Sequence, residues 1–348
     1  MNFPGELAHA ADTLPMILQE SDEAITVGHG VLFPFYCGYT RSMVDQAARG
    51  RFDGLDAIMF GDHCVQLLGM ADAIRMKLPD TRVIFFQLIS SMCDPWTQGR
   101  SEETFAKLRE ELEDFIGAPV RDDALNASIR LFNRNRQLLR KLYDMRRTGR
   151  ATLSSVEMQH VVKSSMIMDK AEHTELAEAL VRHFETASAA PSREVRLHLS
   201  GHFCQAPKPE LLEMIEECGV TIVGDDLYHG LRYISTDVPQ GANPIASLAR
   251  WYLDRNTGVP CPTRVQNNVD WDAYLLNAMR EEQAAGMIVL MAKFCEPHMY
   301  YYPEVKEAFE KAGMPHLLIE TEHEGMALES LKTRVETFVE IVKRREAA

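Results

Sequence analysis

No stretch of this sequence approaches the roughly 18 consecutive apolar residues that a membrane-spanning helix needs. Its beginning, "MNFPGELAHAADTLPM", has no basic segment leading into a long apolar one, so neither a span nor a signal peptide is expected and the expected compartment is the cytoplasm. Positive charge is scarce too. Lys and Arg number 37 against 51 Asp and Glu, a net charge of -14, which argues against a nucleic-acid groove or an anionic membrane surface, since both reward clustered cations. An anionic ligand would need a local basic pocket. There is no internal repeat, low-complexity tract or long Gly/Ser linker, and the tail "KRREAA" reads as a solvated helix end. A G-x-x-x-x-G-K-S/T phosphate loop is missing, so ATP, if it is used, is bound by another subunit.

Paired cysteines are missing as well. The seven, Cys37, Cys64, Cys93, Cys204, Cys218, Cys261 and Cys295, are odd in number and scattered, with no Cys-x-x-Cys pair. In a reducing compartment such thiols are more often buried, catalytic or metal-bound than joined in disulfides.

What is present is ordinary globular material. With 348 residues, 46% hydrophobic and 25% charged, the chain can bury a substantial core and divide into two or three lobes. "LDAIMFG" (55–61) and "RVIFFQL" (82–88) read as buried strands around the helical "VQLLGMADAIRMKL", a βαβ unit with parallel strands. From Ser101 to about His183 the pattern is helical: "SEETFAKLREELEDFIG" starts on a Ser/Glu capping box and "DDALNASIRLFNRNRQLLRKLYDMRR" follows an acidic start. Leu131, Leu138, Leu139 and Leu142 have the spacing of packing residues. The small, polar "ETASAAPSRE" (185–194) is the best boundary. Beyond it, strands are expected at 195–201, 220–226, 286–294 and 316–322, alternating with helices near 207–218, 244–256, 270–285 and 303–312, before a last helix over about 328–344. The expected class is α/β: an N-terminal lobe (1–100), a helical region (101–190) and a C-terminal lobe (191–348).

In open parallel sheets ligands bind beyond the carboxyl ends of the strands. Cys64 follows the first strand and Cys295 follows "GMIVLMAKF"; Cys37 lies on the loop before the first strand, and Cys93 follows the second in "LISSMCDPW". Three thiolates without a dense pair suit an iron–sulfur cluster with one open iron better than a structural zinc. Two alternatives stand beside this: buried apolar thiols without a ligand, and a zinc site using His298 of "CEPH" or His63 of "DHC". His160, His173 and His183 read as surface or packing residues, and His198, within a strand, as a core histidine.

Five stretches in fixed order extend the reading from about Phe3 to about Glu340: "FPGELAHAADTLP", "YCGYTRSMVDQAARGRFDGLDAIMFGDHC", "DDALNASIRLFNRNRQLLRKLY", "GHFCQAPKPELLEMIEECGVTIVGDDLYHGLRYI" and "KFCEPHMYYYPEVKEAFEKAGMPHLLIETE". In these the chain resembles the 2-hydroxyacyl-CoA dehydratase and benzoyl-CoA reductase family, and within it most the smaller catalytic subunit of ATP-dependent (class I) benzoyl-CoA reductases. The resemblance implies two Rossmann-like lobes with a helical region between them. It implies a 4Fe-4S cluster on Cys37, Cys64 and Cys295, with Cys93 the candidate fourth ligand. It also implies an acyl-CoA substrate, a homologous second catalytic subunit, and an ATP-hydrolysing iron–sulfur activator served by a ferredoxin-type donor. The family's chemistry is one-electron reduction of a thioester to a ketyl radical anion. The first expectation is therefore an oxidoreductase that dearomatises an aromatic acyl-CoA. A 2-hydroxyacyl-CoA dehydratase, which is a lyase, and a non-catalytic or double-cubane electron-transfer paralogue are the alternatives. For proton transfer, Glu6 and His9 share a helical face in "GELAHAA", and Asp225, Asp226 and Tyr228 lie at a strand end; the expected acids are Glu6, His9 and Asp226. Arg232 and Lys293 are expected at the CoA phosphates. Relatives carry a helix and strand before the first stretch, so the first lobe is expected to be short or completed by a partner.

Overall fold

Short apolar runs bounded by glycine and acids become parallel strands here, and the longer periodic stretches become the helices that cover them. The computed structural model describes residues 3–188, 194–201, 204–264 and 270–347. The first part comprises α1 (Gly5–Ala10), α2 (Gly28–Val31), α3 (Gly38–Ala48), β1 (Ala57–Gly61), α4 (Val65–Lys77) and β2 (Arg82–Phe86). β1 and β2 pair in parallel from Ala57 opposite Arg82 to Gly61 opposite Phe86, with α4 as the crossover that parallel pairing requires. Alternation along the strands separates two cores. Ile58 and Phe60 pack with Met43, Val44, Met70 and Ile74 of α3 and α4, while Ile84 and Phe86 face the other way.

Four long helices follow: α5 (Thr97–Ile116), α6 (Asp122–Arg147), α7 (Ser155–Ser165) and α8 (Lys170–Glu185). α5 starts at Thr97 rather than Ser101, which is 2% exposed inside the helix. The capping box belongs instead to α7, where Glu157 N donates to Ser154 Oγ and Ser154 N donates to Glu157 Oε2. α6 is long enough to serve two cores: Leu125 and Ile129 pack with β2 and α5, and Leu138, Leu139 and Leu142 with α7 and α8.

The last part runs β3 (Val195–Gly201), α9 (Pro209–Glu217), β4 (Val220–Asp225), α10 (Leu231–Ile234), α11 (Pro244–Gly258), α12 (Trp271–Glu282), β5 (Gly286–Ala292), α13 (Glu296–Lys311), β6 (His316–Thr321) and α14 (Leu328–Glu346). All four strands are parallel, in the order β4-β3-β5-β6. α9 and α14 cover one face through Leu211, Ile215, Val335 and Phe338, and α12 and α13 the other through Leu275, Met279, Val305 and Phe309. The sheet is doubly wound, and its chain order reverses between β3 and β5. Gly201 ends β3 at φ 109, so close to β5 that a Cβ would stand 2.0 Å from Leu290 O; only glycine suits that position. α13 begins well before the expected residue 303, opened by Pro297, and carries Pro303 within it. α11 leaves the second sheet and packs on α5, placing Leu248 and Tyr252 in the core under β2.

A clasp joins the loop after β6 to the segment before α3. His323 is buried; its ring nitrogens meet the Glu20 carboxylate and, at 2.9 Å, Glu23 O, and Ile25 N donates to Glu324 Oε1 at 2.7 Å. Burial opposes a charged imidazole, but the Glu20 carboxylate and the Glu23 carbonyl outweigh it, and the pKa of His323 is raised. A folded-state pKa above the unfolded value means that this contribution is complete below about pH 6.5 and is lost as pH rises through the folded value. Between about pH 6 and about pH 9 the wild type should therefore lose more thermal stability than His323→Gln; parallel melting curves across that range would show the imidazole to be neutral in the fold.

Candidate functional site

The three cysteines at residues 37, 64 and 295 occupy one kind of position: each is the N-cap of a helix, α3, α4 and α13 respectively. A helix start leaves backbone N–H groups without acceptors; none of the three thiols makes a capping hydrogen bond, but each sits where those N–H groups begin. Thr40 and Tyr39 N–H face Cys37, Leu67 and Gln66 N–H face Cys64, and His298 N–H faces Cys295. Three helix dipoles thus point their positive ends at the thiols.

Cys204, just past β3, and Cys261 complete a ring of five thiols around a small cavity of about 40 Å³ whose other walls are largely apolar, with Phe294, Pro262 and Pro297 among them. Cys204 and Cys295 stand at the carboxyl ends of β3 and β5, the place where the sheet order reverses and where such sheets bind ligands. Burial raises the pKa of Cys37, Cys64, Cys204 and Cys295. Cys37 is pushed up against its Thr40 hydrogen bonds, Cys64 rises to about 11 with Cys37 adding to the effect, and Cys204 and Cys295 rise far above the usual thiol range. Without a cation they stay protonated; a bound metal centre would reverse this. No lysine or arginine among the described residues lines the cavity to do so. The donor set is soft sulfur at helix N-termini, which fits an iron–sulfur cluster. Among the described residues no three His, Cys, Asp or Glu side chains are grouped to hold a single metal ion; a cluster takes one thiolate per iron, so its ligands need not meet at a point.

One residue ties the thiol segments together. Gln66 is 5% exposed; its Oε1 accepts from Cys37 N at 2.8 Å and its Nε2 donates to Phe294 O at 2.9 Å. Phe294 has φ 64, a left-handed backbone that costs a bulky residue about 1–3 kcal/mol, and this kink turns Cys295 back toward the cavity. The only trace of Gln66 in the sequence is a polar residue in the first turn after Cys64.

The other expected residues are placed as follows. Cys93 is exposed in the loop after β2 and does not line the thiol cavity; Cys204 and Cys261 stand there instead. His298 is fully buried, edge-on to Trp271 at 5.1 Å, and is not among the residues that line the thiol cavity. The expected acid Asp226 is also fully buried. Its carboxylate accepts from Arg232 Nη2, Trp271 Nε1 and Gly201 N, each at 2.9 Å. Arg232 is 2% exposed and also donates to Val259 O and Pro260 O. This pair braces the chain from inside, so Arg232 does not face a CoA phosphate and Asp226 is not an available acid. Lys293 is exposed beside Cys295, paired with Glu322. Glu6 is buried and pairs with Arg136, and His9 Nδ1 lies 3.0 Å from Ser128 Oγ.

A second cavity of about 730 Å³ shares Tyr39, His63 and Cys204 with the first. His63 is buried between the two, and burial first, then the Arg264 and Arg255 cations, hold its imidazole neutral.

Fold and site together define an α/β protein whose two parallel sheets meet, at their carboxyl ends, over a ring of cysteines. The chain belongs to the family described as 2-hydroxyglutaryl-CoA dehydratase, D-component, which it matches over residues 1–342. It is 27% identical to the (R)-phenyllactyl-CoA dehydratase beta subunit of Clostridium sporogenes, over 97% of this chain and 88% of that one. It is 23% identical to a benzoyl-CoA reductase subunit of Thauera aromatica, over 98% and 88%, and 26% identical to the beta subunit of lactoyl-CoA dehydratase of Anaerotignum propionicum, over 97% and 89%. The family expected from the sequence is confirmed, while the reductase is not singled out within it. No helix among the described residues is long and apolar enough to cross a membrane.

Loss of a buried two-armed hydrogen bond costs about 1–3 kcal/mol. In metal-stripped Gln66→Leu, alkylation of Cys37 and Cys295 should accelerate about tenfold or more over wild type, with Cys93 as an unchanged internal reference. Equal rates, read by mass spectrometry, would show that the amide does not hold these segments closed.

Proposed function

We propose that this chain is the 4Fe-4S subunit of a cytoplasmic acyl-CoA enzyme that works with a homologous second subunit and receives electrons from a separate ATP-hydrolysing iron–sulfur activator and a ferredoxin-type donor. The observation that carries the proposal is the convergence of three N-cap thiols on an apolar cavity, beside a cavity large enough for an acyl group. Cys37, Cys64 and Cys295 hold the cluster; Cys204 and Cys261, rather than Cys93, stand where a fourth ligand would come from. When bound, such a cluster supplies a low-potential electron and, at an open iron, a Lewis acid for the thioester oxygen. The chain's own residues do the rest. The larger cavity holds the acyl group away from water, exposed Lys293 meets a CoA phosphate, and His63, lying between the cavities, is placed to relay a proton between them.

The leading reaction is elimination of water from a 2-hydroxyacyl-CoA: of three relatives named as dehydratase beta subunits, two are 27% and 26% identical to this chain, while the third, of Acidaminococcus fermentans, and the reductase relative are both 23% identical. Reduction of an aromatic acyl-CoA is the second reading, favoured by the aromatic side chains that line the larger cavity. Purified without oxygen, the chain should carry about four iron and four sulfide. Cys37→Ala, Cys64→Ala and Cys295→Ala should lose them and Cys93→Ala should keep them. With partner and activator, a 2-enoyl-CoA formed on catalytic ATP identifies the dehydratase, and a ring-reduced thioester formed on stoichiometric ATP identifies the reductase. An iron-free wild type would overturn the proposal.

A further inference from the structure

The larger cavity contains polar groups that neither the thiols nor His63 require. Beyond Cys204 its wall continues through Tyr228 and Tyr233, whose ring centroids are 6.0 Å apart. Past them lies the Lys170 ammonium, 5.9 Å from the Tyr233 ring and 4.8 Å from the Phe132 ring. Lys170 is 5% exposed, makes no ion pair among the described residues, and donates to one acceptor, Ser165 O, out of the three its ammonium can serve. Glu6, 1% exposed, also lines this end; one carboxylate oxygen takes Arg136, and Oε2 has no hydrogen-bond partner among the described residues. Burial first, then the Arg136 cation, lower the Lys170 pKa to about 7, with Glu6 opposing them; charged or neutral, the amine remains a donor. Asp12 and Asp56, the other acids lining the cavity, are exposed.

Buried polar groups without partners are costly, and these two are complementary: one donates and the other accepts. A carboxylate ligand would meet Lys170 but face the unpaired oxygen of Glu6, and a bare hydrocarbon would leave both unpaired. A hydroxyl satisfies both. The rings of Phe132, Tyr228, Tyr233 and Trp251 line the route and suit a flat aromatic body. Building on the reading of this chain as an acyl-CoA subunit, we infer that the cavity selects an aromatic acyl group bearing a ring hydroxyl, whose oxygen accepts from Lys170 and whose hydrogen is given to Glu6 Oε2. Glu6 then recognises the substrate and is not the acid.

The test uses thioesters that lack a 2-hydroxyl and cannot be dehydrated, titrated calorimetrically into the anaerobically purified complex without ATP. Para-hydroxyphenylpropanoyl-CoA should bind about tenfold or more tighter than phenylpropanoyl-CoA, and hexanoyl-CoA should bind more weakly than either. Lys170→Met should abolish the preference for the hydroxylated ring by weakening para-hydroxyphenylpropanoyl-CoA without weakening phenylpropanoyl-CoA, and an unaltered circular-dichroism spectrum and melting curve would show that the variant is folded. Glu6→Gln, which retains an oxygen acceptor, should keep a reduced preference. Equal affinities in the wild type, tighter binding of hexanoyl-CoA, or a preference that survives Lys170→Met would overturn the inference while leaving the acyl-CoA function intact. Failure of all three thioesters to bind would instead remove that function and this inference with it.

Discussion

A sulfur at a helix N-cap sits in the positive end of the helix dipole, a field that favours its anion. Three segments distant in sequence are arranged here so that this happens three times around one cavity. Much of the architecture serves that arrangement. β1 and β5 deliver Cys64 and Cys295 from their carboxyl ends, the kink at Phe294 turns the latter inward, and Gln66 fastens the turn to the segment bearing Cys37. Burial raises the pKa of these thiols, and the helix ends are the feature that opposes it.

Much of the frame is legible in the sequence because it follows from burial. The six strands among the described residues show themselves as short apolar runs, and their parallel pairing follows from the helices between them. Helix starts are harder to read. Ser101 has the look of a cap, yet the chain is already helical at Thr97, and Pro303 has the look of a start although Pro297 opens the helix. Strand ends point to Cys64 and Cys295, both of which line the thiol cavity. They cannot separate Cys93 from Cys204 and Cys261, because that depends on the path of loops with no periodicity. Asp226 and Arg232 show the same limit: their place at a strand end is readable, but their mutual pairing, 2.9 Å apart inside the protein, is not.

The two candidate reactions share a cluster, an acyl-CoA and an electron source, and diverge only in the fate of the acyl group after it has received an electron. Motifs for the shared parts therefore cannot distinguish them. The walls of the larger cavity, where we place the acyl group, can, and these come in part from α1, α6, α8 and the stretch after β4, all remote from the cysteine motifs.

The path of α11 has a mechanical consequence. Leu248 and Tyr252, from the C-terminal part of the chain, are fully buried in the core beneath β2, where a leucine side chain alone contributes about 1.5–3 kcal/mol. Swinging one sheet away from the other would pull this helix out of that core. Traffic to the thiols must then pass through local motion of the loops at the cavity rims, with the two sheets held as fixed jaws.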